Sequence, residues 1–498
     1  MVDQLVVEGG SHILRPLPLE PGKDQADAWT NTDALAGVFK CSIDEMNACL
    51  ARSRPDAPLG RQARNWVHEH QHLYHTVTTP VGLFCYGLRL MQTLATRDIL
   101  IMLRSAGVPL RVPLLRHIRG TDSTAIDGVR DHLTTWLDAE LFLTYQQGSP
   151  EAYESICSMY PVTRGVPTSG IFQRLQVEFA RFFSGQDPNA KSVQLLEALL
   201  HEELVDPPKW RQEDRNSFVL SELNFDVPDR PFSLPMVLEG ACHAVELWGS
   251  DFATFERLYA ARFSDLIYLW PIAATAECVR SRSMPEILGT HLAVCDLALA
   301  APIMPDRAGV RHGLRADEML PHLRYFAILT ALDSVGPLRG PDHYAAFVQA
   351  IYERLQWTPY DDVYATTDWS SSLLGVRAEL FRSAAELRRA EPAIFITPFL
   401  SYDSEAAGTR FNDEFSFHIL QFADRTVFHR NKTWLYGTQM DFICKEWMHG
   451  IMLGTPKTIS LPWRAHDDEL RFLGGEAQSV MSETLGWDVP PPRIVSVH

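Results

Sequence analysis

The feature that most constrains this chain is an apolar segment, residues 234–248, that carries three ionisable side chains. Glu239, His243 and Glu246 stand at positions i, i+4 and i+7, so a helix places them in one stripe. The rest of the segment is apolar or small, which is typical of a buried helix. A buried carboxylate is costly unless a cation or several hydrogen-bond donors accompany it. The fold therefore has to bring a partner to these carboxylates.

A second segment carries imidazoles that suit such a partnership. Residues 65–75 read Asn-Trp-Val-His-Glu-His-Gln-His-Leu-Tyr-His, in which His68, Glu69 and His72 form the pattern His-Glu-x-x-His. On a helix, His68 and His72 share one face with His75, and the (i, i+4) spacing lets two imidazoles converge on one tetrahedral cation. Glu69 then lies about a quarter turn away, where it reaches a water on the fourth position as a general base.

The His-Glu-x-x-His pattern resembles that of the zincin metallopeptidases, and a glutamate from a second helix resembles the third ligand of their gluzincin branch. The resemblance covers only the motif helix and the distant helix of Glu239. It implies a peptidase-like or amidase-like hydrolase with Zn²⁺ bound by His68, His72 and Glu239, and with Glu246 as the alternative third ligand. Glu69 is then the catalytic base for attack on an amide or ester carbonyl.

Other side chains on the two helices are expected to support this site. His243, a catalytic candidate, and His75 are placed to orient a ligand or to stabilise an oxyanion. Gly240 and Ala244 are expected to let the histidine helix approach closely. The expected substrate is a small molecule or a peptide.

Three other interpretations stay open. Glu-x-x-His occurs at residues 69–72 and again at 446–449, and with Glu239 and Glu246 it suits a di-iron oxygenase. A mononuclear non-haem iron site would use the same two histidines and one carboxylate. The third interpretation is a non-catalytic helical interaction protein.

On the carboxylate helix itself, the alternative to a metal is an ion pair. The candidate partners there are Arg64 and Arg89, and the stripe could instead face solvent.

The organisation of the chain predicts a mainly α-helical protein. Residues 1–32 are rich in turn formers and predict an irregular arm, residues 33–333 a multi-helix body that holds the metal site, and residues 342–498 a smaller α+β or irregular part. Two Gly-Pro dipeptides within residues 334–341 mark the boundary. Predicted helices lie at 44–53, 61–77, 81–105, 122–147, 171–183, 190–204, 234–248, 252–263, 285–300, 317–332, 344–355, 377–390, 412–422 and 440–453. Short strand-like segments lie at 39–42, 108–113, 394–402 and 427–436.

The amino-acid composition disfavours some classes of binding partner. With 45 Lys+Arg against 62 Asp+Glu, the formal net charge is −17, which disfavours nucleic acid and anionic membrane surfaces. No run of 18 apolar residues and no signal peptide is visible. The 8 cysteines form no Cys-x-x-Cys, a pattern typical of reduced thiols, so a cytoplasmic location is expected. The oligomeric state is left open.

Overall fold

The chain is built mostly from α-helices in the computed structural model. The described residues are 31–33, 38–40, 61–108, 110, 114–119, 124–147, 234–261, 266–301, 321–357, 376–394, 396, 419–421, 426–428, 432–453, 458–461, 465–489 and 491–496. Some side chains within these ranges, including that of Glu69, also lie outside the description. The helices are α1 Arg61–Thr78, α2 Pro80–Ser105, α3 Leu114–Arg119, α4 Thr124–Gln147, α5 Leu234–Glu246, α6 Phe252–Ala261, α7 Leu266–Val279, α8 Met284–Leu299, α9 Pro321–Val335, α10 Tyr344–Leu355, α11 Val376–Ala390, α12 Lys432–Leu453 and α13 Asp467–Leu485.

Short strands form two small sheets. The strands are β1 Asn31–Asp33, β2 Val38–Lys40, β3 Ile419–Gln421, β4 Thr426–Phe428, β5 Thr458–Leu461 and β6 Arg493–Ser496. The first sheet has the order β1-β2-β3-β4, and its central pair β2–β3 is parallel, with Phe39 opposite Leu420. The second sheet is the parallel pair β5–β6. The pairing of β2 with β3 in the first sheet joins two segments that are remote in sequence.

The prediction of a mainly helical fold is confirmed. Predicted helices at 61–77, 81–105 and 344–355 correspond closely to α1, α2 and α10. The helix predicted at 412–422 is wrong over residues 419–421, because that segment pairs as β3 with strands on both sides. Among the described helices, none is both long and apolar enough to cross a bilayer.

Other sequence-based predictions fall where the structure gives no description. The helices predicted at 44–53, 171–183 and 190–204 lie outside the described residues, as do most of the N-terminal arm and the strand-like segment at 394–402. Of the segment predicted as strand-like at 427–436, β4 takes the first residues and α12 begins at Lys432.

The junction of α1 and α2 shows how the histidine helix is held at its end. Thr79 caps α2, accepting a hydrogen bond of 3.1 Å from the Gly82 backbone N–H, and Pro80 begins the helix. A Cβ on Gly82 would lie 2.2 Å from the backbone oxygen of Thr76, so only glycine lets the two helices join this tightly. The last turn of α1 is thereby fixed against α2.

Two hydrophobic cores organise the described helices. The first contains side chains of α1, α5 to α11, the beginning of α2 and the end of α4. The second joins the rest of α2, α3 and most of α4 to α12 and α13. The first core includes Tyr325 and Tyr344, which flank the predicted boundary at 334–341. The division into domains stays a prediction, but this segment connects two helices of one core.

The long helices α2 and α4 run antiparallel through both cores, and a buried ion pair lies where the cores meet. Arg89 Nη1 donates to Oε2 of Glu140 at 2.9 Å, and Gln92 donates to the same oxygen at 2.7 Å. His449 of α12 lies 3.0 Å from Arg89 Nη1 and stacks on Trp136. Burial raises the pKa of Glu140, but Arg89 and His449 outweigh it and hold that pKa well below its usual range.

Loss of either member of the Arg89–Glu140 ion pair is expected to lower the stability of the fold. Arg89→Ala or Glu140→Ala should lower the free energy of unfolding by about 3–5 kcal/mol, because each removes the main opposite charge beside a buried charged group. Urea unfolding followed by circular dichroism measures the change. Arg471→Ala, which removes an exposed partner of Asp468, is the control and should change stability by about 0.5 kcal/mol or less. Equal effects of the buried and exposed changes would contradict the prediction.

Candidate metal centre

The described side chains of the histidine helix α1, at His68 and from His70 to Thr78, are buried. His68, His72 and His75 are buried, and so are His70 and Gln71 on other faces of the helix. Imidazoles in such surroundings need polar partners. The structure brings these partners from α5, which packs against α1 although more than a hundred and fifty residues separate the two in sequence.

A close contact with two other helices fixes the rotation of α5. A Cβ on Gly240 would lie 3.0 Å from Cβ of Pro271 in α7 and 3.1 Å from Nε2 of His291 in α8. The glycine therefore makes room for α7 and α8 and not, as expected from the sequence, for the histidine helix. Because the Gly240 side of α5 packs against α7 and α8, the neighbouring Glu239 faces α1.

Three ligand atoms converge between α1 and α5. Nε2 of His68 and Nε2 of His72 lie 3.1 Å apart. The carboxylate of Glu239 lies across from both, with Oε2 at 3.4 Å from Nε2 of His68 and Oε1 at 3.4 Å from Nε2 of His72. Ligands at 2.0–2.1 Å from one tetrahedral zinc are separated by about 3.3–3.4 Å. The three side chains are thus spaced as ligands of one ion would be.

The Glu239 carboxylate has histidines and no arginine as its ion-pair partners among the described residues. Its side chain is only 6% exposed, and its Oε2 accepts no hydrogen bond from any described group. Burial alone raises the pKa of Glu239, but His72 and His68 outweigh that effect and lower it below its usual range. An ionised carboxylate with an unused oxygen and two imidazoles suits a divalent cation.

The predicted arginine partners lie elsewhere or outside the description. Arg89 is bound to Glu140, and the side chain of Arg64 is not among those described. Ion pairing of Glu239 and Glu246 with Arg89 is therefore wrong.

Glu246 and His243 lie beside these three side chains. Oε1 of Glu246 is 2.6 Å from Nδ1 of His68, and its Oε2 is 3.1 Å from Nδ1 of His243. The rings of His68 and His243 meet edge to face, 4.9 Å between centroids. All of the predicted site residues on α5 are thus brought to the histidine helix.

His75 has different surroundings from the other two histidines of its face. Its Nε2 lies 3.0 Å from the side-chain nitrogen of Gln71. Burial lowers the pKa of His75 to about 3 although Asp296 opposes the shift, so the ring is neutral. It lies one helical turn beyond His72 and, within the described part of the chain, forms no hydrogen bond or ion pair with Glu239, Glu246 or His243.

One neighbour of the site was missed by the sequence analysis. Cys242 is buried, and its Sγ together with ligand atoms of His68 and His72 forms a group whose members lie within 4.8 Å of one another. A second such group consists of His68, Glu239 and His243. Cys242 follows Glu239 by three residues and so lies near the same helix face, which is the signal that would have found it.

The second Glu-x-x-His unit does not join this cluster in the described residues. His449 contacts Arg89, Glu140 and Trp136 at the junction of the two cores. An arginine there already supplies the positive charge that a metal would bring.

No protein-family model matches the chain, and neither a curated protein nor a solved structure is significantly similar to it. The resemblance to gluzincins stays a prediction, and the chemistry of the site is inferred from its geometry.

The geometry predicts which side chains hold a metal. Purified protein dialysed against limiting Zn²⁺ should retain one equivalent, and His68→Ala, His72→Ala and Glu239→Gln should each lose it, because each removes one of three converging ligands. Elemental analysis measures the content. His75→Gln, a buried histidine on the same helix, is the control and should keep the metal. Full metal content in a His68→Ala/His72→Ala protein would place the site elsewhere.

The site also predicts a pH dependence of metal binding. Burial lowers the pKa of His68, but Glu246 and Glu239 outweigh burial and raise it well above 6.5 in the metal-free protein. The stabilisation that these ion pairs give the metal-free fold is therefore complete below pH 6.5. It is lost as the pH rises through the raised pKa of His68. Because Zn²⁺ must displace this proton, its affinity should increase with pH over the same window and then level off.

Competition with a chelator at a series of pH values measures this dependence. Calorimetry in buffers of different ionisation enthalpy counts the protons released. An affinity independent of pH from 6 to 9 would contradict the expectation.

Proposed function

We propose that this protein is a metal-dependent hydrolase that cleaves an amide or ester bond. The observation that carries the proposal is the convergence of His68 Nε2, His72 Nε2 and the Glu239 carboxylate at 3.1–3.4 Å in a buried position. Two imidazoles and one carboxylate are the ligand set of hydrolytic zinc sites that keep a coordination position open. We propose Zn²⁺ as the metal for the same reason.

Residues of α1 and α5 would bind the metal, and a residue of α1 would transfer protons. His68, His72 and Glu239 would hold the cation, which when bound would supply a Lewis acid that makes water a nucleophile at neutral pH. Glu69 follows His68 by about 100° around the helix. In the proposal its carboxylate takes the proton from the attacking water and passes it to the leaving group.

His243 is proposed to face the substrate. Its side chain is 14% exposed and that of Glu246 20%, against 6% for Glu239 and 3% for His72, so the site becomes more accessible towards His243. An imidazole at that side can orient the substrate and, when doubly protonated, can donate a hydrogen bond from Nε2 to the oxyanion that forms during attack. The substrate proposed is a small molecule or peptide whose scissile carbonyl reaches between α1 and α5.

A mononuclear iron oxygenase is the second candidate, because two histidines and one carboxylate also bind non-haem iron. The same convergence of His68, His72 and Glu239 supports it. A dinuclear site built on both Glu-x-x-His units has less support, since His449 is bound to Arg89 and Glu140. Glu69 distinguishes the hydrolase from the dinuclear oxygenase, because it is a base in the first and a ligand in the second. The identity of the bound metal distinguishes the hydrolase from the mononuclear oxygenase.

We propose a cytoplasmic location. Cys85, Cys278 and Cys295 form no disulfide, which is typical of a reducing compartment. The negative net charge supports a protein that does not bind nucleic acid.

The decisive variant is Glu69→Gln, which keeps the size of the side chain and removes the proton acceptor. It should bind one equivalent of Zn²⁺ and lose roughly 10²–10⁴-fold in hydrolysis. Turnover is measured on a fluorogenic peptide library and on nitrophenyl esters with zinc-loaded protein. Glu256→Gln, an exposed carboxylate on α6, is the matched control and should leave turnover unchanged.

Two results would overturn the hydrolase. One is loss of metal from Glu69→Gln, which would make Glu69 a ligand and favour the dinuclear oxygenase. The other is a wild-type protein that binds iron with charge-transfer absorption and hydrolyses none of these substrates.

A further inference from the structure

Glu246 lies between two imidazoles that belong to different helices. Its Oε1 is 2.6 Å from Nδ1 of His68 on α1, and its Oε2 is 3.1 Å from Nδ1 of His243 on α5. Each oxygen of one carboxylate therefore faces the same type of nitrogen on a different ring. The two rings also touch edge to face.

This arrangement favours a hydrogen on Nδ1 of each ring. An ionised carboxylate only accepts hydrogen bonds, so an imidazole that faces it presents N–H. In a ring that carries one proton, that proton then lies on Nδ1 of His68 or His243, and Nε2 has the lone pair. In His68 that Nε2 is the atom that faces Nε2 of His72 and the Glu239 carboxylate.

The same geometry separates the two glutamates of α5. Glu239 approaches the Nε2 edge of His68, whereas Glu246 approaches the Nδ1 edge. The two nitrogens of an imidazole point in different directions, so a cation bound at Nε2 lies away from Glu246. Histidines that bind metals commonly donate their other N–H to a carboxylate in this way.

We propose that Glu246 is a positioning residue that holds His68 and His243 together by their Nδ1 atoms. It turns Nε2 of His68 towards the metal and Nε2 of His243 towards the substrate. One carboxylate thereby fixes a metal ligand and the substrate-facing histidine relative to each other. This proposal rests on the proposed metal site and deepens it.

The first test reads the hydrogen positions directly and needs no variant of Glu246. In zinc-loaded protein with ¹⁵N-labelled histidine, the NMR signals of His68 and His243 should both show Nδ1–H, with assignments from His68→Gln and His243→Gln. A ring with its hydrogen on Nε2 and none on Nδ1 would overturn the proposal.

The second test compares zinc affinities by competition with a chromogenic chelator. Glu246→Gln replaces one acceptor oxygen by a donor and should weaken zinc binding 10- to 100-fold, the usual effect of removing such a partner. Glu239→Gln removes a ligand and should weaken it more. His243→Gln leaves the Glu246 contact with His68 and should change the affinity less than Glu246→Gln. Glu256→Gln is the matched control and should leave it unchanged.

The outcomes separate this proposal from the proposed function. If Glu246→Gln binds zinc as tightly as wild type while Glu239→Gln does not, the metal site stands and the positioning role is wrong. If Glu246→Gln loses zinc as completely as Glu239→Gln, Glu246 is a ligand. A wild-type protein that binds no zinc would overturn both proposals.

Discussion

The contact between α1 and α5 around one buried carboxylate is the interaction on which the site depends. Glu239 lies in an otherwise apolar helix, and its partners among the described residues are the imidazoles of His68 and His72. Neutral imidazoles alone compensate poorly for burying a negative charge, whereas a proton or a metal ion shared among the three groups compensates well. In our proposal, a proton meets this requirement in the metal-free protein, and a metal ion would meet it when bound.

The surroundings of α5 make this contact rigid. Behind Glu239, Gly240 lies against Pro271 and His291, and burial lowers the pKa of His291 to about 3, so that ring is neutral. Thr275 Oγ1 lies 2.8 Å from Nδ1 of His291 and also donates to the backbone oxygen of Pro271. Tyr325 of α9 donates to the same oxygen at 2.7 Å. This network of hydrogen bonds holds α5, α7, α8 and α9 in fixed positions relative to one another. A site with three converging ligands requires such fixed positions.

The junction at Arg89 shows how a similar set of side chains serves a different purpose. Glu140 and His449 come from different helices, as the candidate ligands do, but here a guanidinium lies between them. The arginine neutralises the carboxylate and donates in fixed directions, so the cluster is complete without a metal. Its position between the two cores indicates a role in holding α2, α4 and α12 together.

The sequence by itself determined the mainly helical character of the fold. It also determined which ionisable side chains share one face of α1 and one face of α5. The limits of α1, α2 and α10, and the shared face of Glu239, His243 and Glu246, follow from the 3.6-residue period of contiguous residues. The strand at Ile419–Gln421 escaped this reasoning because its pairing partner β2 lies near the other end of the chain.

Only the tertiary structure decided how the stripes meet. That Glu239 faces Nε2 of His68 while Glu246 faces Nδ1 depends on the rotation of α5, which Gly240 sets through its contact with α7 and α8. That His449 belongs with Arg89, and Cys242 with the histidines, depends likewise on packing between helices remote in sequence. The spacing of residues fixes which side chains share a helix face, but the volumes of side chains on several helices together fix what that face meets.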